Sequence, residues 1–134
     1  MVCLEGGCLC GAVRYQYHGK LGQVMACHCQ ACRKAQGTPF VTNMPIDASQ
    51  FDLLQGQDAL KEFESSTGKF RVFCSHCGSP IYSRLADLPN VLRLRLGTVE
   101  TPLPVHGIDA HIFVADQANW YSICDQAPQY ETRP

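Results

Sequence analysis

Apolar and polar residues alternate with a period of two in several short runs, the pattern of strands with one buried face. Val13, Tyr15 and Tyr17 share one face of a segment that carries Arg14 and Gln16 on the other. Phe70, Val72 and Cys74 alternate with Arg71 and Phe73, and Leu92, Leu94 and Leu96 with Arg93 and Arg95. Further strands are expected over 39–46, 51–54, 60–64, 80–83 and 109–114. Gly19, Gly22, Gly56, Gly68 and Gly97 fall where turns are needed between them. Helix is scarce: one short piece over 30–36, ended by Gly37, and single turns near Ala48 and Thr98. The pattern predicts a mostly-β protein.

The length of 134 residues predicts one domain, 1–134, and 46% hydrophobic against 17% charged residues is enough to build a core. The net charge of -1, with no basic run beyond Arg33-Lys34 and the pair Arg93 and Arg95, disfavours nucleic acid and anionic lipid, which require a concentrated basic face. No apolar stretch approaches a membrane span or a secretory leader, so a cytoplasmic setting is expected.

The nine cysteines change the picture, because seven fall into three tight clusters: Cys8 and Cys10; Cys27, Cys29 and Cys32; Cys74 and Cys77. A disulfide scaffold fits them badly, since the count is odd and the spacings suit metal better. Cys74-Ser75-His76-Cys77-Gly78 has the form of a knuckle, with Gly78 free to take positive φ as the chain leaves the metal. Metal–sulfur bonds of about 2.3 Å place tetrahedral sulfurs roughly 3.8 Å apart. Extended residues two apart are separated by about 7 Å, so the chain must bend at Cys8-Leu9-Cys10, where Gly6, Gly7 and Gly11 allow it.

Each of these pairs supplies half a tetrahedron, whereas the middle cluster converges locally. The economical partition puts Cys8, Cys10, Cys74 and Cys77 on one zinc and Cys27, Cys29 and Cys32 on a second. Structural zinc is four-coordinate and catalytic zinc keeps an open position, so the first reads as scaffold and the second as a working site. The competing arrangements are an iron–sulfur cluster on the same thiols and a histidine or cysteine that closes the second site. With both zincs and seven thiolates counted, the net charge becomes about -4.

The chain resembles the glutathione-dependent formaldehyde-activating enzyme family, which includes centromere protein V relatives. The likeness runs through Gly-Gly-Cys8-Leu-Cys10-Gly-Ala-Val-Arg14-Tyr15, Cys27-His28-Cys29-Gln-Ala-Cys32-Arg33-Lys34 with Gly37 and Phe40, and Phe63-Glu-Ser-Ser66. It continues in Arg71-Val-Phe-Cys74-Ser-His-Cys77-Gly78, Leu96-Gly97-Thr98, His111-Ile-Phe-Val114 and Trp120-Tyr121. The resemblance implies a β-tent fold, two twisted antiparallel sheets pinned by a structural zinc. It implies the same division of cysteines, with Cys27, Cys29 and Cys32 carrying the active zinc. The reaction implied joins glutathione and formaldehyde as S-(hydroxymethyl)glutathione, formally a carbon–sulfur lyase in reverse. The alternative class is a non-catalytic zinc module that binds a protein or small molecule.

Other residues are candidates on weaker grounds. His111, in a matched segment, is a candidate to line the second zinc; otherwise it is a strand histidine bonded near the surface. His28, between two ligands, is expected to point outward from its turn, and His76 to face solvent. Arg33, Lys34 and Arg71 either meet carboxylates of a glutathione-like molecule or offset the thiolate charge, the latter being preferred. Phe113 and Trp120 are expected in the core. Cys124 is expected to pack as a small apolar group, and Cys3 to lie in the terminal segment.

Overall fold

The computed structural model describes residues 3–134. In chain order the strands are β1 (Leu4–Gly7), β2 (Arg14–Tyr17), β3 (Met25–Cys27), β4 (Val41–Asp47), β5 (Phe51–Gln55), β6 (Leu60–Ser66), β7 (Lys69–Cys74), β8 (Pro80–Leu85), β9 (Val91–Arg95) and β10 (Ala110–Ile112). The single α-helix among the described residues, α1, spans Gln30–Gln36. The protein is mostly β, with two sheets. It divides into two compact units, one built from the chain up to Gly22 and from Met44–Val105, the other from Gln23–Asn43 and His106–Pro134.

In the first unit, β1, β2 and β5 form an antiparallel sheet in that order, with Leu4 opposite Tyr17 and Gly6 opposite Tyr15. The antiparallel ladder of β6, β7, β8 and β9 belongs to the same unit. Its core gathers the alternating apolar residues: Leu4, Val13, Tyr15, Tyr17, Met44, Ile81 and Leu94 are fully buried. Burial of each such side chain is worth about 1.5–3 kcal/mol. The two tyrosines bring polar tips that must be paired. The Tyr15 hydroxyl meets Thr98 Oγ1 at 2.7 Å, and that of Tyr17 donates to the Lys20 carbonyl and accepts from the Asp47 N–H.

In the second unit, β3 pairs antiparallel with β4, Cys27 opposite Val41, and parallel with β10, Cys27 opposite Ile112. This parallel pair departs from the wholly antiparallel sheets expected from the sequence. The helix follows β3 after two residues. Its cap, Gly37, takes φ 71° and donates its N–H to the Arg33 carbonyl, so the position demands a residue tolerant of left-handed backbone.

The alternation seen in the sequence matches most strands, and the helix and the single turns fall where expected. β1 and β3 had no such signal: β1 ends in two glycines, and β3 has only three residues. The 109–114 strand stops at Ile112, because Phe113 turns into the left-handed region at φ 55°, ψ 39°. Arg95, expected on a polar face, is buried; β9 ends there and a 3-10 turn over Leu96–Thr98 breaks the alternation. Trp120 is 68% exposed and Cys124 is exposed rather than packed, since both lie in a segment without strand or helix to cover them. Among the described residues no helix is long and apolar enough to cross a membrane.

Gly6 is fixed by close approach. A Cβ there would overlap the Thr98 carbonyl oxygen and the Tyr15 ring. Gly6→Ala is expected to destabilise the protein by about 1–3 kcal/mol or more, as overpacking does; urea denaturation against the wild type measures it.

Candidate metal centres

Cys8 leaves the end of β1 and enters a bend in which Gly11 adopts φ 84°. The bend is held by the Gly11 N–H on the Cys8 carbonyl and by the Cys8 N–H on the Val13 carbonyl, at 3.2 and 3.1 Å. Cys74 ends β7, and the knuckle after it closes with the Gly78 N–H on the Cys74 carbonyl at 2.7 Å, Gly78 at φ 81°. These two turns bring Sγ of Cys8, Cys10, Cys74 and Cys77 within 4.8 Å of one another. Cys8 and Cys10 Sγ lie 3.6 Å apart, Cys10 and Cys74 Sγ 3.9 Å. Both match the roughly 3.8 Å of a tetrahedral metal–thiolate set. They are far from the roughly 2.05 Å of a disulfide, and all nine cysteines are free.

The surroundings lower two of these thiols and raise a third: at Cys10 the Ala12 N–H pulls down, but burial and the sulfurs of Cys8, Cys77 and Cys74 outweigh it and push the thiol up to about 11. Burial pushes the Cys8 thiol up, but the Val13 N–H, 3.2 Å from Sγ, and the neighbouring Cys10 and Cys74 bring it below its ordinary value. The Ser79 hydroxyl, 3.2 Å from Cys77 Sγ, and the Ser79 N–H hold Cys77 down to about 5. Ser79 also accepts the Leu9 N–H at 2.9 Å, so its own proton is directed to sulfur. It therefore joins the two turns, a role the sequence reading missed; its place one residue past Gly78 was the available signal. His76 is exposed, as expected.

The second group is local. Cys27 ends β3, Cys29 caps α1, and Cys32 lies in the first turn of α1 and donates its N–H to Cys29 Sγ at 3.3 Å. The three sulfurs lie within 4.8 Å of one another, and no further His, Cys, Asp or Glu among the described residues joins this set. Cys27 and Cys32 are buried together with Val41, and Ile112 and Phe113 pack against them. Cys29 and Cys32 crowd the Cys27 thiol and burial adds to the effect, so its pKa is pushed up. A bound cation reverses that penalty, which is the expected behaviour of soft donors placed to receive a metal.

His28 does not point outward; it is fully buried, and so is His111. His28 Nε2 lies 2.8 Å from His111 Nδ1, and His111 Nε2 lies 2.9 Å from Asp125 Oδ2. Phe40 packs beside His28, with ring centroids 5.0 Å apart and the planes tilted by 45°. Burial, then His111 and Arg33, lowers the His28 pKa to about 4. The His111 hydrogen bond, with the Ala127 N–H, holds Asp125 below the ordinary carboxylate range. His111 thus bonds with both ring nitrogens inside the protein. Asp125 was missed, because a carboxylate 14 residues from its partner, in an irregular segment, carries no periodic signal.

Of the basic candidates, Arg33 and Lys34 occupy the last turn of α1, where positive charge complements the helix terminus. Arg71 donates to Ser65 Oγ at 3.0 Å. Cys3 is exposed.

Fold and site together describe a small, mostly-β protein with two cysteine groups able to hold metal, one of four donors and one of three. The chain belongs to the glutathione-dependent formaldehyde-activating enzyme family, whose model matches residues 3–116, a stretch with residues from both units. It is 30% identical over 78 residues to an uncharacterized lyase of Schizosaccharomyces pombe, a match covering 58% of this chain and 55% of that protein. This chain therefore spans about half the length of that relative. It is 27% identical over 128 residues to a Halomonas elongata protein provisionally named a glutathione-dependent formaldehyde-activating enzyme, covering 90% of this chain and 80% of that one. A crystal structure of a Rhodobacter sphaeroides protein shares the fold, with a TM-score of 0.63 at 21% identity over 75% of this chain and 91% of the other.

Cys74 is the most deeply buried member of the four-thiol group. Cys74→Ser is expected to lower the metal content of the purified protein by about one equivalent and the melting temperature by well over 10 °C, because metal binding energy at such a site is folding energy. Elemental analysis and thermal denaturation of the same sample test both.

Proposed function

We propose that this protein is a zinc-dependent enzyme of carbon–sulfur bond chemistry, acting on a thiol–aldehyde adduct of the S-(hydroxymethyl)glutathione type. Support comes from the family, from the names of its relatives, and from one observation above the others: the buried Cys27, Cys29 and Cys32 set offers three soft donors where Cys8, Cys10, Cys74 and Cys77 offer four. Thiolates select zinc, and zinc sites with three protein ligands are the open, reactive kind. Two zinc ions are therefore proposed, a structural one on the four-thiol group and a working one on the three-thiol group.

When bound, zinc supplies Lewis acidity and lowers the pKa of a thiol or water beside it. The protein's own residues supply the setting. Cys27, Cys29 and Cys32 hold the ion, and Val41, Ile112 and Phe113 give one side of the trio an apolar lining that keeps water away. In the joining direction, a thiol sulfur forms the bond to the aldehyde carbon, the carbonyl π bond opens, and the thiol proton ends on the new hydroxyl oxygen. No oxidant or reductant is needed. His111, with both nitrogens bonded to His28 and Asp125, is assigned to positioning rather than to contact with the adduct.

The partners proposed are small molecules, a thiol such as glutathione and formaldehyde, within a single functional domain. Exchange NMR of glutathione with formaldehyde, with the spontaneous rate subtracted, is expected to show an excess exchange rate in the presence of the zinc-loaded protein. Cys29→Ser is expected to remove at least 90% of that excess. A rate equal to background with both metals bound overturns the reaction and leaves the fold as described.

A further inference from the structure

The chain of three side chains Asp125, His111 and His28 has a direction. Asp125 Oδ1 accepts the Ala127 N–H at 2.9 Å, and Oδ2 faces His111 Nε2 at 2.9 Å. An ionised carboxylate can only accept, so the proton of this contact sits on His111 Nε2. A neutral His111 then has a bare Nδ1, which can only accept, and the 2.8 Å contact requires the proton to sit on His28 Nε2. His28 Nδ1 is consequently bare, and it is buried without a protein partner.

His28 is also held through its backbone. Its N–H donates to the Ile112 carbonyl at 3.0 Å, where β10 runs beside β3 with Ile112 opposite Cys27. The residue between Cys27 and Cys29 is thus fixed at two points, by its main chain and by its ring. Neither contact uses the sulfurs.

We infer that Asp125 is a positioning residue: acting through His111, it sets the tautomer and ring orientation of His28, and so the angle at which the Cys27 and Cys29 thiols converge. The inference rests on the reading of the three-thiol group as a metal centre. Partners of this kind, one step removed from the ligands, orient metal sites and tune their affinity. An imidazole given the opposite tautomer would carry a buried Nδ1–H with no acceptor. Orphaned buried N–H groups are rarer than unpaired acceptors, and relief would require the ring to turn against the Phe40 and His111 rings that flank it.

Asp125→Asn reverses the chain with almost no change of shape. The Ala127 N–H retains the amide oxygen, which leaves the amide nitrogen, a donor, facing His111 Nε2. In the zinc-loaded protein, nitrogen NMR of labelled histidines is expected to find His28 and His111 both protonated at Nε2 in the wild type and both at Nδ1 in Asp125→Asn. Graded chelator competition is expected to show a 10–100-fold loss of zinc affinity at the three-thiol group, with the four-thiol group changed less than twofold. Asp125→Ala is expected to lose affinity to a similar degree without the tautomer reversal. A wild-type His28 protonated at Nδ1, or an Asp125→Asn protein with unchanged affinity, overturns the assignment. A three-thiol group that binds zinc with these tautomers but gives no excess exchange removes the proposed reaction and leaves this assignment standing.

Discussion

The convergence of four sulfurs from two distant turns is the constraint on which the first unit depends. Cys8 and Cys10 lie more than sixty residues from Cys74 and Cys77, and closing such a loop is entropically costly in a chain of short strands. The donors nevertheless lie at tetrahedral separations around a shared centre. Hydrogen bonds arranged in advance, from the Val13 N–H to Cys8 and from the Ser79 hydroxyl to Cys77, lower two of the four thiols. Metal bound at a site prepared in this way would make uptake and folding one event. The apolar core then has a fixed frame to close against: Cys8 and Cys74 are themselves members of the cluster that contains Tyr15, Ile81 and Leu94.

The second group follows a different logic. Its three donors come from one short stretch of β3 and α1, so little chain entropy stands against their meeting. What such a local cluster lacks is rigidity, and the neighbouring elements provide it. The parallel strand β10 fixes the backbone opposite Cys27, and the Asp125–His111–His28 chain fixes the ring between Cys27 and Cys29. Phe113 is the one residue among those described, glycines aside, with positive φ. A bulky side chain in the left-handed region costs of order 1–3 kcal/mol. Here that backbone ends β10 at the point where the Phe113 ring packs on the cysteines. This strained backbone lies beside the three-donor set rather than the four-donor one.

What the sequence disclosed and what it concealed divide along the range of the interactions. Alternation placed β2, β7, β8 and β9 because each has one wet and one dry face, and spacing alone paired the cysteines, because sulfur geometry at a metal is narrow. The helix was legible from its glycine stop at Gly37. The strands β1 and β3 were not. Gly6 and Gly7 are in β1 because of what Tyr15, Thr98 and Arg14 require of the space beside them, which no local pattern records. His28 was misread as outward-facing for the same reason. Its burial depends on Phe40, His111 and Asp125, residues separated along the chain and joined only by the fold. Trp120 and Cys124 failed in the opposite sense, being apolar or nearly so yet left outside by a segment with no regular structure.

The outermost strand of its ladder, β6, has only one hydrogen-bonded neighbour, β7, and it exposes Phe63. A free border of this kind invites another polypeptide to add itself as an extra strand. Lys61, Glu62 and Glu64 crowd that same border, and Glu62 is already engaged by Arg84 at 2.8 Å. Stripping water from those charges costs more than covering one aromatic ring returns. The charged border thus discourages fibril-like stacking of one copy on another along β6.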